Sequence, residues 1–202
     1  MRILYAFYLL LNCLDFVKSM YNKSLKLVMR NYTFLLDDEG WMIEGNQRFS
    51  TNVLHIPYTF NNEMSHFITG NDSLIHVNPM QGEYTDKSLW YFRSPILNAD
   101  LSNYKYINFS LSCFSGISNS LNQVDHYIRI CGQKAGQCSK YRIIDTFNLT
   151  KKWTTFHIPL DNKLLLWTDK FNIIIRNVSY IYILGDWTQW YETIGLDNFF
   201  IG

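Results

Sequence analysis

Period-two alternation recurs along this chain in short runs, and no run sustains the 3.6-residue period for the length of an ordinary helix. The clearest case is YINFSLSCF at 106–114, where Ile107, Phe109, Leu111 and Cys113 alternate with Asn108, Ser110 and Ser112. Successive strand side chains point to opposite faces, so this run predicts a strand with one buried side. WTTFHIPL at 153–160 repeats the pattern, with Phe156, Ile158 and Leu160 against Thr155 and His157. Such a strand suits a sheet with one wet face. Further candidate strands are YTFLL at 32–36, WMIEG at 41–45, SLIHV at 73–77, LWYFRS at 89–94 and HYIRIC at 126–131. SKYRIIDTFNL at 139–149, VSYIYILGD at 178–186 and IGLDNFFI at 194–201 complete the set. Asn, Gly, Asp and Ser fill the connections, as turns require. Only DNKLLLWTDKFNIII at 161–175 mixes the two periods, and it is expected to hold a helical turn. Many short strands and almost no helix predict an all-β, antiparallel β-sandwich or barrel.

Of 202 residues, 48% are hydrophobic and 17% charged, which describes one packed domain with a short leader. The net charge of +1 gives no reason to expect nucleic acid as a partner. Arg2 followed by the apolar stretch Ile3–Leu14 has the form of a signal peptide. That stretch is shorter than the roughly 20 residues that span a bilayer. Small Val17 and Ser19 place the expected cut after Ser19. The expected organisation is therefore a signal peptide at 1–19, an irregular segment at 20–32 and a β-sandwich over 33–202. The product is expected to be secreted, without membrane insertion, and the apolar run at 194–201 to be its closing strand.

Export changes how the cysteines are read. Cys13 leaves with the signal. Cys131 and Cys138 flank the polar loop GQKAGQ between two β-rich runs, and a disulfide across that hairpin is expected. Cys113 lies on the apolar face of its strand and is expected to be a buried thiol. Six sequons, at Asn22, Asn31, Asn71, Asn108, Asn148 and Asn177, are candidate N-glycosylation sites in an exported chain.

Catalysis needs a clustered acid, base or nucleophile. The five histidines show no metal-ligand spacing, and neither a Gly-x-Ser-x-Gly elbow nor a phosphate-cradling glycine loop occurs. The expectation is a chain that is not an enzyme and requires no cofactor. The most conspicuous surface candidate is GDWTQWYE at 185–192, in which Trp187, Trp190 and Tyr191 stand beside Gln189. Flat rings next to hydrogen-bonding groups serve both sugar recognition and protein hot spots. Trp41, Trp90 and Trp153 are expected to pack in or against the sandwich.

Four segments, in order, resemble the laminin B module, also called laminin domain IV. They are LDDEGWMIEGN at 36–46, LWYFRSP at 89–95 with ILNADLSNYKYINFSLSC after it, FNLTKKWTTFHIPLD at 147–161, and FNIIIRNVSYIYILGDWTQWYETIGLDNFFI at 171–201. The resemblance covers roughly 33–202. It departs at Tyr104-Lys105, where the family usually has Tyr-Gly, and in a long polar insertion at 55–88. It implies a galactose-binding-like jelly roll whose last strand pairs beside its first. Related jelly rolls often hold a structural calcium there, so the resemblance allows one at Asp37, Asp38, Glu39 and Asp197. In Trp187 it implies a packed aromatic. The expected function is a secreted adhesion or interaction module binding an extracellular protein or matrix partner. A lectin-like carbohydrate-binding module is the alternative, and a glycan-acting enzyme the remote one.

Overall fold

The computed structural model describes residues 30–34, 37–44, 53–60, 63–71, 90–115, 126–133, 137–142, 152–161, 166–168, 170–187 and 193–202. The signal segment and the expected strand at 73–77 lie outside them, as does 143–149 of the expected strand at 139–149.

The strands are β1 Arg30–Tyr32, β2 Met42–Glu44, β3 Leu54–Phe60, β4 Glu63–Asn71, β5 Tyr91–Arg93, β6 Tyr106–Ser115, β7 His126–Gly132, β8 Cys138–Arg142, β9 Thr154–Pro159, β10 Val178–Leu184 and β11 Thr193–Ile201. The helical turn falls where the mixed period put it, as α1 Phe171–Ile174. Two antiparallel sheets face each other: a six-stranded one in the order β3-β4-β11-β6-β9 with β1 also on β11, and a five-stranded one in the order β2-β5-β10-β7-β8. The fold is the expected sandwich.

The ends of the described chain meet as expected. Arg30, Asn31 and Tyr32 pair with Ile201, Phe200 and Phe199. The strand begins earlier than 32–36 and stops at Tyr32, within the segment expected to be irregular. Phe34 takes a left-handed φ of 53° and turns its ring into the core. There Trp41 lies 6.0 Å from Phe34 and 4.9 Å from Phe199, in edge-on contact with both.

β11 is the central strand of its sheet and changes partner halfway. Thr193–Leu196 pair with β4, whereas Phe199–Ile201 pair with β1. On its other side the register against β6 shifts between Asp197 and Phe200. Asn198 occupies this irregularity at φ 52°, a left-handed conformation that Asn tolerates better than most residues. The Leu-Asp-Asn triplet therefore marks a bulge at which one strand serves two neighbours.

The core lies between the sheets and contains Trp41, Trp90, Phe92, Phe109, Leu111, Ile128, Ile181, Ile183 and Leu196, all nearly inaccessible to solvent. In β9 the alternation holds: Phe156, Ile158 and Leu160 are buried, Thr155 and His157 exposed. Cys131 and Cys138 are directly opposed across β7 and β8 and form the expected disulfide. In the loop-entropy model such a short closed loop contributes about 2–3 kcal/mol. Cys113 is a buried cysteine outside any disulfide.

The polar insertion at 55–88 contains a hairpin that the sequence reading missed. β3 and β4 pair from Leu54↔Thr69 to Phe60↔Glu63. Pro57 argues against a strand, but β3 is the edge of its sheet, where a missing N–H costs no ladder bond.

A concave aromatic face as the candidate functional site

The hairpin completes the outer face of the six-stranded sheet. Cross-strand register places Ile56 and Tyr58 of β3 on the same side as Ser65, Phe67 and Thr69 of β4. Gly195 and Asp197 of β11 follow, then Asn108, Ser110 and Ser112 of β6 with Phe114 beyond them, then Thr155 and His157 of β9. These are the residues alternate to the core set.

Four rings cluster there. Tyr58 lies 5.4 Å from Phe67 and 5.5 Å from Trp153. Phe67 stacks on Phe114 at 4.7 Å, and Trp153 stands edge-on to both, at 5.5 and 5.7 Å. Tyr58 belongs to one edge strand and Trp153 immediately precedes the other. Five strands side by side span roughly 19 Å. Rings from opposite edges can touch over the centre only if the sheet curls toward them, so this face is concave.

Gly195 makes the close approach possible. A Cβ there would stand 2.5 Å from Phe114, 2.8 Å from Phe67 and 3.0 Å from Trp153. The rings rest on bare backbone of the central strand. Phe67 is covered by its neighbours, Tyr58 and Trp153 are half-buried, and Phe114 is 39% exposed.

Polar groups surround the rings. The Tyr58 hydroxyl donates to Asp197 Oδ2 at 2.8 Å, and the Asn198 backbone N–H and side-chain amide donate to the same carboxylate. Burial pushes the Asp197 carboxyl above its usual 3.8, and these hydrogen bonds only partly pull it back. Burial, helped by Asp197, pushes the Tyr58 phenol up to about 12. Further along, Asn108 Oδ1 meets His157 Nδ1 at 2.7 Å, and the His157 ring lies 4.7 Å from Tyr106. Ser110 and Thr155 share a hydrogen bond at 3.0 Å.

Of the residues singled out from sequence, Asp197 and Asn108 lie on this face. Trp187 is corrected: it is a core residue, 3% exposed, with Nε1 donating to the Leu184 carbonyl at 2.7 Å and its ring 6.0 Å from Phe156. It is therefore unable to stack on a ligand, and it is the packed aromatic that the family resemblance implied. Gln189, Trp190 and Tyr191 lie outside the described residues. So do Asn22 and Asn148. Asn31 and Asn177 have exposed side chains, Asn108 is half-buried on the concave face, and Asn71 ends β4. None of the four rings was singled out as a site from sequence; Tyr58 and Phe67 were missed because β3 and β4 were not read as strands.

Asp37, Asp38 and Glu39 form the turn before β2. Asp37 and Asp38 each accept a backbone N–H two residues on, from Glu39 and Gly40 at 2.7 and 2.9 Å. Burial raises the Glu39 carboxyl above its usual 4.5. Among the described residues no three His, Cys, Asp or Glu side chains gather as metal ligands do.

Asp197 can be tested directly. A carboxyl raised in the folded state contributes fully below its unfolded pKa, and that contribution is lost as pH rises through the folded value. Stability attributable to Asp197 should thus fall as pH rises from 3.8. Asp197→Asn is expected to remove that slope and to leave the melting midpoint at pH 7 unchanged or higher. A calcium held by Asp37, Asp38, Glu39 and Asp197 makes the opposite prediction: the variant would melt earlier, and chelator would lower the wild-type midpoint.

No protein family matches the chain by its sequence, and no curated protein does. Solved structures do match by fold. The L4b domain of human laminin alpha-2 superposes with a TM-score of 0.56 at 10% identity, covering 87% of this chain and 98% of that one. A family 11 carbohydrate-binding module from Clostridium thermocellum, solved with a β-1,3-1,4-mixed-linked tetrasaccharide, gives 0.52 at 12% identity, covering 86% and 94%. The family 30 carbohydrate-binding module of a cellulosomal cellulase of the same organism gives 0.51 at 12% identity, covering 86% and 97%. The fold is thus the jelly-roll sandwich shared with this laminin domain and these carbohydrate-binding modules, as the sequence resemblance implied.

Proposed function

We propose that the chain is a secreted, non-catalytic binding module that holds a carbohydrate chain in the concave face of its six-stranded sheet. One observation carries this reading: Phe67, Phe114 and Trp153 converge over Gly195 with Tyr58 against them, and the Asn108 and His157 side chains lie on the same face. Flat apolar rings beside a few fixed polar groups are what a sugar ring needs for stacking and orientation. The family 11 module solved with a bound tetrasaccharide shows that a jelly roll of this shape can serve as such a module. No helix among the described residues is long and apolar enough to cross a membrane.

A protein partner is the second reading. It is favoured by the exposed Phe114 beside Trp153, an aromatic patch of the kind that dominates protein interfaces, and by the likeness to a laminin domain.

The test is a glycan array that includes mixed-linked glucan oligosaccharides, run with wild type and Trp153→Ala. Specific binding that weakens at least ~30-fold in the variant, the loss of a hot-spot side chain, supports the carbohydrate reading. A silent array with a captured protein released by the same substitution supports the second. A ligand indifferent to Trp153→Ala removes this face from the function.

A further inference from the structure

The concave face has a second group of rings at its other end. Phe200 of β11 lies directly opposite Asn108 of β6, and Asn108 directly opposite His157 of β9. All three are on the outer side, because Phe199, Phe109 and Ile158 at the adjacent positions are buried in the core. Tyr106 shares that side of β6, and its ring lies 5.9 Å from Phe200 and 4.7 Å from the His157 ring. Tyr106 and Phe200 are half-buried and His157 is exposed, so the group presents ring surface on the face. Gly202 serves it as Gly195 serves the first cluster: a Cβ there would overlap Phe200 and stand 3.0 Å from Tyr106.

The polar groups beside these rings are set for hydroxyls. Asn108 Oδ1 can only accept, so His157 Nδ1 donates to it at 2.7 Å. Nε2 of the neutral imidazole is then an acceptor, and the Asn108 NH2 group is a donor next to it. An acceptor beside a donor matches neighbouring sugar hydroxyls, each of which can do both. Ser110 and Thr155 continue the polar strip toward the first cluster. Strands β6, β9 and β11 contain no Lys or Arg to pair with a sulfate or carboxylate.

The two clusters share these three strands and differ in position along them. The step from Trp153, immediately before β9, to His157 is ~13 Å at the rise of an extended strand, more than one sugar ring covers. The sheet curls across its strands, so its trough runs parallel to them. We propose that Tyr106, Phe200, His157 and Asn108 form a second sugar subsite, and that one neutral, hydroxyl-rich glycan chain lies along β6 and β9 from Trp153 to Tyr106. The inference rests on the carbohydrate reading of the first cluster and adds the length, direction and charge of the ligand.

Neutral mixed-linked glucan oligosaccharides of graded length are the probe, titrated calorimetrically against the full chain. Wild type is expected to bind oligosaccharides long enough to bridge the clusters at least ~10-fold more tightly than the disaccharide, because a second set of ring contacts is engaged. His157→Ala, at an exposed position, and Tyr106→Ala should each weaken the long ligand at least ~10-fold and leave the disaccharide, held on the first cluster, unchanged. Tyr106→Phe keeps the ring and should bind as wild type does, which separates loss of the platform from loss of the fold. Trp153→Ala should weaken both lengths. The proposal is overturned if affinity does not rise with length. It is equally overturned if the long ligand is indifferent to His157→Ala and Tyr106→Ala while Trp153→Ala releases it; the first cluster is then the whole site and the carbohydrate reading stands. Indifference of every length to Trp153→Ala, or no binding at all, removes the carbohydrate reading and this proposal with it.

Discussion

Trp90→Ala is expected to destabilise the domain by about 3–5 kcal/mol, the usual cost of deleting a large buried aromatic. For a domain of this length that corresponds to a melting midpoint lower by roughly 6–20 °C. Native domains hold only about 5–15 kcal/mol in total, so a large part of the margin goes with this side chain. The reason is where the indole sits. Trp90 is 1% exposed and stands edge-on to Phe92 at 5.2 Å. It lies against the inner faces of both sheets, and both accommodate it with a missing side chain. A Cβ at Gly70 of β4 would be 2.6 Å from the indole, and one at Gly185, just beyond β10, would overlap it outright. A strand of one sheet and the residue just past a strand of the other are thus cut back to backbone to admit one ring. Gly185→Val should therefore also be strongly destabilising, by overfilling the space that Trp90→Ala empties. If the Trp90→Ala midpoint falls by less than ~3 °C, the indole does not join the two sheets.

Much of this fold was legible where strands obey simple alternation. β6 and β9 each bury one side and wet the other, so their period of two reported both existence and orientation. The disulfide followed from two cysteines flanking a short polar loop. Legibility failed at β3 and β4. Pro57 and the polar residues around 61–66 read as an insertion, because Pro ordinarily argues against a strand and is tolerated at a sheet edge. The candidate site failed to show for a related reason. Tyr58, Phe67, Phe114 and Trp153 come from four separate segments, and only the strand order brings them together. No local window contains that information. Trp187 shows the converse error: a ring in a polar-looking loop attracted attention, yet its indole N–H finds the Leu184 carbonyl and the ring lies inside.

Gly195→Val separates the shape of the concave face from its composition. The substitution deletes no ring and leaves the core side of β11 intact, where Ile194 and Leu196 are fully buried. It does insert carbon where Phe114, Phe67 and Trp153 now rest on backbone. The rings must lift and splay, at a stability cost of about 1–3 kcal/mol for an overpacked site. Because the proposed ligand depends on their relative placement, its affinity should fall at least ~10-fold, although every aromatic residue is still present. Trp153→Ala should fall comparably by the opposite route. Combining the two should cost less than the sum of the separate losses, because both act on one cluster and residues in contact do not add. Calorimetric titration with the array-identified ligand, alongside thermal melting, gives both quantities. Full additivity would mean that the glycine and the tryptophan serve different ligands or none, and an unchanged affinity in Gly195→Val would place the binding surface elsewhere on the sandwich.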